Sequence, residues 1–252
     1  MSGEMNAAEQ VTAKATGPES LSAESRATAA RLAESYRVSP LDMVPNPSPL
    51  LVESTEEVAV PTPNGLFGLR AWRFADGAEH LSARALDRDG NPVPYEGGGV
   101  PAVRIHSECA TGDIFGSFRC DCGPQLENGL RIIGRTGGYL VYVRNHEGRG
   151  IGLVNKLRAY ALQDAGLDTL DANLALGLDG DMRDYSQAAL ILQELGVHEM
   201  RLVTNNPAKQ EALEGLGLRV TELIPDEIPA RVENAHYLHT KRERMRHLLE
   251  RA

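Results

Sequence analysis

The sequence RIHSECATGDIFGSFRCDCG, residues 104–123, contains all three cysteines of the chain, Cys109, Cys120 and Cys122. An odd number of cysteines does not pair completely into disulfides within one subunit. Two thiolates one residue apart, with a third a short loop away, can instead converge on one tetrahedral metal ion. The pattern indicates Zn²⁺, because thiolates are soft ligands and zinc favours four-coordinate sites.

Three protein ligands leave one position of a tetrahedral zinc open, as in catalytic zinc sites, where the metal activates a water molecule. The residues alone leave two alternatives open. One is a structural zinc site with His106 as the fourth ligand, and the other is a set of buried free thiols. Buried thiols need apolar neighbours, whereas this stretch carries charged residues such as Arg104, Glu108 and Asp121.

The composition is that of an acidic globular protein. The chain has 252 residues, of which 42% are hydrophobic, enough for one sizeable core or two modest ones. A net charge of −9 argues against nucleic acids and membrane surfaces as partners, since both need a basic face. The sequence has no apolar run of membrane-spanning length, and its first residues lack the features of a signal peptide. Three free thiols belong in a reducing compartment, so we expect a cytoplasmic location.

The composition also divides the chain near residue 55. Residues 1–20 carry almost no large apolar side chains and are predicted to be disordered. Residues 22–37 are compatible with a short helix that Ser22 caps and that ends before Pro40. We therefore predict a disordered or loosely docked N-terminal extension over residues 1–55 and a compact domain over residues 56–252.

The hydrophobic pattern of this domain predicts an α/β fold with α+β character and a mixed sheet. The N-terminal half is rich in alternating apolar residues, which indicates antiparallel strands, with a turn at residues 63–65. The C-terminal half alternates helix and strand. Its predicted helices are 125–135, 153–165, 186–195, 208–216 and 237–249, and its predicted strands are 139–143, 200–203 and 219–223. In the helix 153–165, the spacing predicts a buried stripe of Leu153, Val154, Leu157 and Ala161.

Two further segments can bind an anion. EGRGIGL, residues 147–153, is a glycine-containing loop that opens a helix, where backbone N–H groups, the helix dipole and Arg149 can face a phosphate. TNNPAK, residues 204–209, places Lys209 in the first turn of a helix, where a lysine is mildly unfavourable unless an anion is near. Taken singly, a plain loop explains the first segment equally well, and an exposed lysine stays open as an alternative for the second.

Together the segments resemble GTP cyclohydrolase II, an enzyme family of riboflavin biosynthesis. The resemblance covers about residues 58–250 and rests on RIHSECATGDIFGSFRCDCG, HEGRGIGL, LRAYALQDAG, DTLDANLALGL, LVTNNPAK and HYLHTKRERM. It implies that residues 56–252 form a catalytic domain that converts GTP to formate, pyrophosphate and 2,5-diamino-6-(5-phospho-ribosylamino)pyrimidin-4(3H)-one. It also implies one Zn²⁺ per subunit, Mg²⁺ bound with the triphosphate, and a homodimer.

The resemblance further implies a role for each matching residue. Cys109, Cys120 and Cys122 correspond to the zinc ligands. Asp181 corresponds to the proton acceptor and Arg183 to the residue that attacks the α-phosphate, although Arg183 could equally act as an electrostatic stabiliser. Tyr160 matches a tyrosine implicated after opening of the imidazole ring. The implied contacts with GTP are Arg104, Ile105, His106, Ser107, Glu108, Gln125, Glu147, Gly148, Arg149, Thr169, Thr204 and Lys209.

Two other functions stay open at this point. A paralogue could catalyse a partial or altered cyclohydrolase reaction in a specialised pathway, and a non-catalytic relative could bind zinc and nucleotide only. The presence of Tyr160 favours full turnover. Ala110 stands where the family usually has leucine, which alters packing beside a zinc ligand but not the ligands themselves.

Overall fold

The computed structural model describes residues 21–37, 48–97, 99–245 and 248. The described residues form an α/β structure around a mixed sheet of eight strands, which confirms the predicted fold class. The predicted disorder of residues 1–20 lies outside the described residues. Among the described helices, none combines the length and the apolar character needed to cross a membrane.

The first four strands are antiparallel. The alternating pattern predicted the last three of them, whereas the first lies within the predicted N-terminal extension. The four strands are β1 (Leu51–Ser54), β2 (Val58–Thr62), β3 (Gly65–Phe74) and β4 (Glu79–Leu86). β3 pairs with β1, β2 and β4, and Thr62 pairs with Gly65 across the predicted turn. β4 then pairs antiparallel with a strand of the second half and so joins both halves in one sheet.

The remaining strands are β5 (Ala102–Ser107), β6 (Gly138–Val143), β7 (Glu199–Val203) and β8 (Arg219–Ile224). β5 pairs in parallel with β6 and β7, and β7 pairs in parallel with β8. β5 therefore departs from the antiparallel pattern predicted for the first half. Parallel neighbours end at the same edge of a sheet, so the segments that follow β5, β6 and β7 lie together.

The helices connect and cover these strands. They are α1 (Ala23–Tyr36), α2 (Ala110–Asp113), α3 (Cys122–Thr136), α4 (Gly152–Asp164), α5 (Thr169–Ala175), α6 (Ser186–Glu194), α7 (Pro207–Gly215) and α8 (Ala235–Met245), with a 3-10 segment at Arg144–Arg149. α3 begins at Cys122, earlier than the predicted start at residue 125. The short helices α2 and α5 were not predicted, because neither is long enough to show helical periodicity.

Apolar side chains pack on both faces of the sheet. On one face, Ile105, Met200 and Leu202 pack with Ile191 and Leu192 of α6. On the other face, Phe67 of β3 packs with residues of α3 and β6. A third cluster joins α4 and α5, and Leu32, Ala33 and Tyr36 of α1 pack against it. The side chain of Ser22 accepts a hydrogen bond at the start of α1, as predicted.

The buried side of α4 is not the one that periodicity predicted. Leu153, Val154 and Leu157 are 47%, 65% and 51% exposed, and Ala161 is half-buried. The buried residues of α4 are Asn155, Lys156, Ala159 and Leu162. This side faces a polar cleft as well as the α4–α5 cluster, so burial on α4 does not follow hydrophobicity.

Candidate active site

The three cysteines meet where the loop after β5 joins the start of α3. Cys109 precedes α2, and Cys122 is the first residue of α3. Their Sγ atoms all lie within 4.8 Å of one another, and the Cys109–Cys120 distance is 3.7 Å. Sulfur ligands at about 2.3 Å from a tetrahedral zinc lie roughly 3.8 Å apart. The donor set and its spacing therefore fit a zinc site.

His106 is engaged away from the sulfur cluster. Its Nε2 lies 3.1 Å and 3.2 Å from the two carboxylate oxygens of Asp113. Asp113 also accepts hydrogen bonds from the Tyr142 hydroxyl at 2.8 Å and from the Cys109 backbone N–H at 3.0 Å. Within the described part of the chain, the metal-ligating cluster contains the cysteines alone. The geometry thus favours three protein ligands over a site closed by His106.

Two glycines allow the cysteine loops to approach each other. A Cβ atom at Gly112 would lie 3.0 Å from Cys120 Sγ and 3.1 Å from Cys109 Sγ. A Cβ atom at Gly123 would lie 2.5 Å from the carbonyl oxygen of Gly112. The contact at Gly123 is shorter than real Cβ contacts, so a side chain there would push the loops apart. The contacts at Gly112 are tighter than most real ones, so a side chain there would require the sulfur atoms to move by a few tenths of an ångström.

A buried ion pair lies against the cluster. Lys156 Nζ donates hydrogen bonds to Cys109 Sγ at 3.0 Å and to Glu147 Oε1 at 2.6 Å. Hydrogen bonds from the Cys120 and Cys122 thiols, together with the Lys156 charge, hold the pKa of Cys109 well below its ordinary value. Cys109 is therefore a thiolate, the form that binds a metal. Lys156 was not among the predicted site residues, because the predicted apolar stripe placed its side of α4 towards solvent.

A cleft of about 1000 Å³, open to solvent, adjoins the cysteines. Of the eighteen predicted site residues, the cleft is lined by sixteen: Arg104, His106, Ser107, Glu108, Cys109, Cys120, Cys122, Gln125, Glu147, Gly148, Arg149, Tyr160, Thr169, Arg183, Thr204 and Lys209. The Ile105 side chain lies in the core instead, and its carbonyl accepts a hydrogen bond from Lys209 Nζ at 2.6 Å. Asp181 is not one of the lining residues, but it pairs with Arg183, which is one of them.

Arg149 is held in an unusual conformation with an unsatisfied side chain. Its φ angle is 69°, a left-handed value that costs a non-glycine residue on the order of 1–3 kcal/mol. Both terminal guanidinium nitrogens are buried, and neither has a hydrogen-bond partner among the described residues. Buried donors without acceptors are strongly unfavourable. An anion in the cleft would supply the missing acceptors.

Two other cations of the cleft are buried close to each other. Arg104 pairs with the buried carboxylate of Asp226 at 3.0 Å and donates to Gln125 Oε1 at 3.2 Å. Burial, reinforced by the charges of Arg104 and Arg183, lowers the pKa of Lys209 well below its ordinary value. A bound polyanion would offset this mutual repulsion, which is the electrostatic character of an anion site.

Asp181 and Arg183 form a close pair. The Arg183 side chain donates to both carboxylate oxygens of Asp181, and the Nε–Oδ1 distance is 2.8 Å. Burial alone would raise the pKa of Asp181, but the hydrogen bonds and charge of Arg183 outweigh burial and lower it. Asp181 is therefore ionised at neutral pH. An Asp-x-Arg motif is most often a surface ion pair. Arg183 differs from that common case, because its side chain is only 12% exposed.

Tyr160 lies between the cysteine loop and the cleft. Its hydroxyl is 3.4 Å from Thr111 Oγ1, and the Arg119 guanidinium lies 4.3 Å above its ring. Burial raises the pKa of Tyr160, so the hydroxyl keeps its proton at neutral pH. Burial and the charge of Glu147 raise the pKa of Glu108 to about 7, which places a carboxyl that can exchange a proton near neutrality in the same cleft.

Sequence reasoning missed a second group of lining residues. These are His146, Ile151, Lys156, Ala159, Gln163, Asn173, Asn205, Asn206, Tyr237 and Lys241. Lys241 of α8 donates a 2.7 Å hydrogen bond to Asp121, beside Cys122, so the last described helix closes one side of the cleft. The HYLHTK segment carried a signal for this role, but its helical periodicity does not tell which face turns inward.

The fold and site define an α/β protein with a three-cysteine cluster that fits a metal ion, at the edge of a cation-lined cleft. The sequence profile of the GTP cyclohydrolase II family matches residues 53–225, and the chain belongs to that family.

Several curated proteins are similar to this chain. It is 52% identical over 198 residues to the riboflavin biosynthesis protein RibBA of Rhodococcus jostii, a match that covers 78% of this chain and 47% of that protein. It is 51% identical over 197 residues to the RibBA protein of Mycobacterium marinum, with 78% and 46% covered. The chain thus spans about half the length of the curated relatives that it matches.

The contact of Gly112 with the sulfur atoms yields a test of the metal centre. We expect Gly112→Ala to weaken zinc binding by roughly tenfold, because its Cβ would shift two of the sulfur atoms by a few tenths of an ångström. Competition with a chromophoric chelator measures the affinity. Gly215→Ala is the matched control, since a Cβ at Gly215 meets no atom within 4 Å. Equal zinc affinities for the two variants would contradict the proposed ligand set.

Proposed function

We propose that the protein hydrolyses GTP to formate, pyrophosphate and 2,5-diamino-6-(5-phospho-ribosylamino)pyrimidin-4(3H)-one, the first step of riboflavin biosynthesis. The observation that carries this proposal is that a cluster of three cysteines and the unsatisfied guanidinium of Arg149 line one cleft. Family membership and the riboflavin biosynthesis relatives support the same activity. No observation favours a partial reaction or a non-catalytic role.

Cys109, Cys120 and Cys122 would hold one Zn²⁺, which supplies a Lewis acid able to activate water for attack on an electrophilic carbon such as C8 of guanine. Mg²⁺ would accompany the triphosphate, because hard cations bind phosphate oxygens. The polar groups around the base would come from the loop after β5, where His106, Ser107 and Glu108 line the cleft.

The phosphates would bind where the cations gather. Arg149 offers free guanidinium donors, and Lys209 offers a charge that burial disfavours in isolation. Charge-assisted hydrogen bonds of this kind contribute on the order of 1.5–3 kcal/mol each. The remaining proposed contacts with GTP are Arg104, Ile105, Gln125, Glu147, Gly148, Thr169 and Thr204. For Ile105, the backbone is the group that can contribute, since its side chain is in the core.

Arg183 and Asp181 would act as a unit. Asp181 is ionised and would serve as the proton acceptor. The same carboxylate keeps Arg183 protonated, and a protonated guanidinium is a poor nucleophile. We therefore favour Arg183 as an electrostatic stabiliser of the phosphoryl transition state. Tyr160, with its retained proton, could donate that proton after the imidazole ring opens.

A homodimer is part of the proposal. Leu153, Val154 and Leu157 form an exposed apolar face on α4, and Phe115 in the loop after α2 is 81% exposed. Exposed apolar groups of this size mark interaction surfaces. A second copy of the chain is the occupant that we propose for the α4 face.

We also propose that residues 56–252 form the catalytic domain and residues 1–55 an N-terminal extension. The start of the family match at residue 53 supports a boundary near residue 55, while β1 (Leu51–Ser54) already pairs with β3 in the sheet of the domain. α1 lies in the extension and rests on α4 through Leu32 and Tyr36, which supports a docked segment over that part. The three free cysteines support a reducing compartment such as the cytoplasm.

Product analysis tests the activity. With one zinc per chain and Mg²⁺ present, we expect formate and pyrophosphate to appear in equal amounts from GTP, and mass spectrometry to identify the pyrimidinone product. Asp181→Asn should lower kcat by about 100-fold or more, because it removes the proton acceptor. Folded, zinc-loaded protein that releases neither formate nor pyrophosphate would contradict the proposal.

Substrate affinity tests the role of Arg149. We expect Arg149→Gln to weaken GTP binding by roughly tenfold or more, because the variant loses at least one charge-assisted hydrogen bond to the ligand. Equilibrium dialysis of zinc-free protein measures this affinity without turnover. Arg144→Gln is the control, since Arg144 begins the same segment but is exposed and pairs with Glu79. A loss of affinity that is equal for both variants would show that only the net charge matters.

Light scattering coupled to gel filtration tests the α4 face. We expect wild-type protein to elute as a dimer and Val154→Glu as a monomer, because the change buries a charge in the interface. Val58→Glu is the control, since Val58 is 60% exposed and Val154 is 65% exposed, but Val58 lies on β2. A dimer that tolerates Val154→Glu would place the interface elsewhere.

A further inference from the structure

Lys156 is a buried cation in direct contact with a metal ligand. It is 7% exposed, and its Nζ lies 3.0 Å from Cys109 Sγ and 2.6 Å from Glu147 Oε1. Burial of an ammonium group is costly unless it is paired and hydrogen-bonded. These two hydrogen bonds therefore hold the ammonium group in place, and one of the two acceptors is a sulfur atom of the cysteine cluster.

Glu147 fixes the direction of the lysine side chain. Its Oε2 accepts a hydrogen bond from the Ala110 backbone N–H at 2.6 Å, and its Oε1 accepts one from the Gly148 N–H at 3.0 Å in addition to that from Lys156. Both carboxylate oxygens are thus occupied by protein donors. Glu147 ties the cysteine loop to the glycine loop and aims Lys156 at Cys109.

The hydrogen bond from Lys156 to Cys109 can affect the Lewis acidity of a metal bound by the three cysteines. Three thiolates bring more negative charge than a divalent cation neutralises, and sulfur donors reduce the Lewis acidity of the metal. A hydrogen bond from an ammonium group withdraws electron density from the sulfur, and groups behind the ligands tune metal centres in this way. Without an ammonium group directed at the sulfur, Cys109 would donate more electron density to the metal.

We infer that Lys156 is a positioning residue that keeps the metal centre acidic by donating an N–H···S hydrogen bond to Cys109, and that Glu147 orients it. This inference rests on the zinc centre proposed above. Lys156 differs in role from Arg149, whose guanidinium has no partner among the described residues and is available to a ligand.

Cobalt substitution reports on the sulfur directly. In Co²⁺-loaded protein, we expect Lys156→Met to shift the thiolate-to-cobalt charge-transfer band to longer wavelength, because the Cys109 lone pairs rise in energy without the hydrogen bond. Lys156→Arg should restore most of the wild-type band. Glu147→Gln, which keeps the shape of the orienting side chain but loses its charge, should shift the band in the same direction as Lys156→Met.

Lys241→Met is the matched control. Lys241 is 8% exposed and pairs with Asp121 at 2.7 Å, so its removal deletes a comparably buried ion pair of the same cleft. No hydrogen bond joins Lys241 to a sulfur atom in the described part of the chain, and only its charge acts on Cys122, so the cobalt band should move far less than in Lys156→Met. A clearly larger shift in Lys156→Met than in Lys241→Met would separate the effect of the hydrogen bond from general loss of a buried charge.

Kinetics provide the second readout. We expect Lys156→Met to lower kcat with GTP by about 10- to 100-fold while KM changes by less than about twofold, the range for groups behind metal ligands. An unchanged cobalt band in both Lys156→Met and Glu147→Gln would overturn the inference. Failure of wild-type protein to bind cobalt would instead overturn the metal centre itself, whatever the GTP assay gives.

Discussion

The parallel pairing of β5 with β6 is the constraint on which the site depends. Its register aligns Ser107 with Val143, and the Glu108 N–H continues the ladder to the Val143 carbonyl at 2.9 Å. The two strands therefore end side by side, and the cysteine loop and the glycine loop leave the sheet at adjacent points. The bridge from Glu147 to Ala110 and Lys156 closes the gap between them.

This arrangement lets an acidic chain build a cation-lined cleft. Arg104 on β5 and Lys209 after β7 converge because these strands are neighbours in the sheet, and Arg183 from the segment before α6 lines the same cleft. Asp226 and Asp181 hold the two arginines in place, so the folded protein tolerates the concentration of positive charge. Arg149 keeps its guanidinium free, which leaves one strong donor for a ligand.

Local patterns predicted some features of this protein well and others wrongly. The cysteine spacing predicted a metal site, and the three sulfur atoms do converge. The apolar spacing of Leu153, Val154 and Leu157 predicted a buried stripe and was wrong, since α4 turns Lys156 and Asn155 inward. Periodicity assumes that the buried side of a helix is apolar, and this assumption fails where a helix borders a polar cleft.

The linear chain was sufficient for the mixed α/β class, the order of most helices and strands, and the cluster of three cysteines. Each of these follows from neighbouring residues: the period of apolar side chains, the position of glycines, or the clustering of cysteines within residues 104–123. The partners of each charge required the folded molecule. The contacts of Lys156 with Cys109, Arg104 with Asp226 and Lys241 with Asp121 join residues far apart in sequence, so strand order and helix packing, rather than local spacing, bring them together.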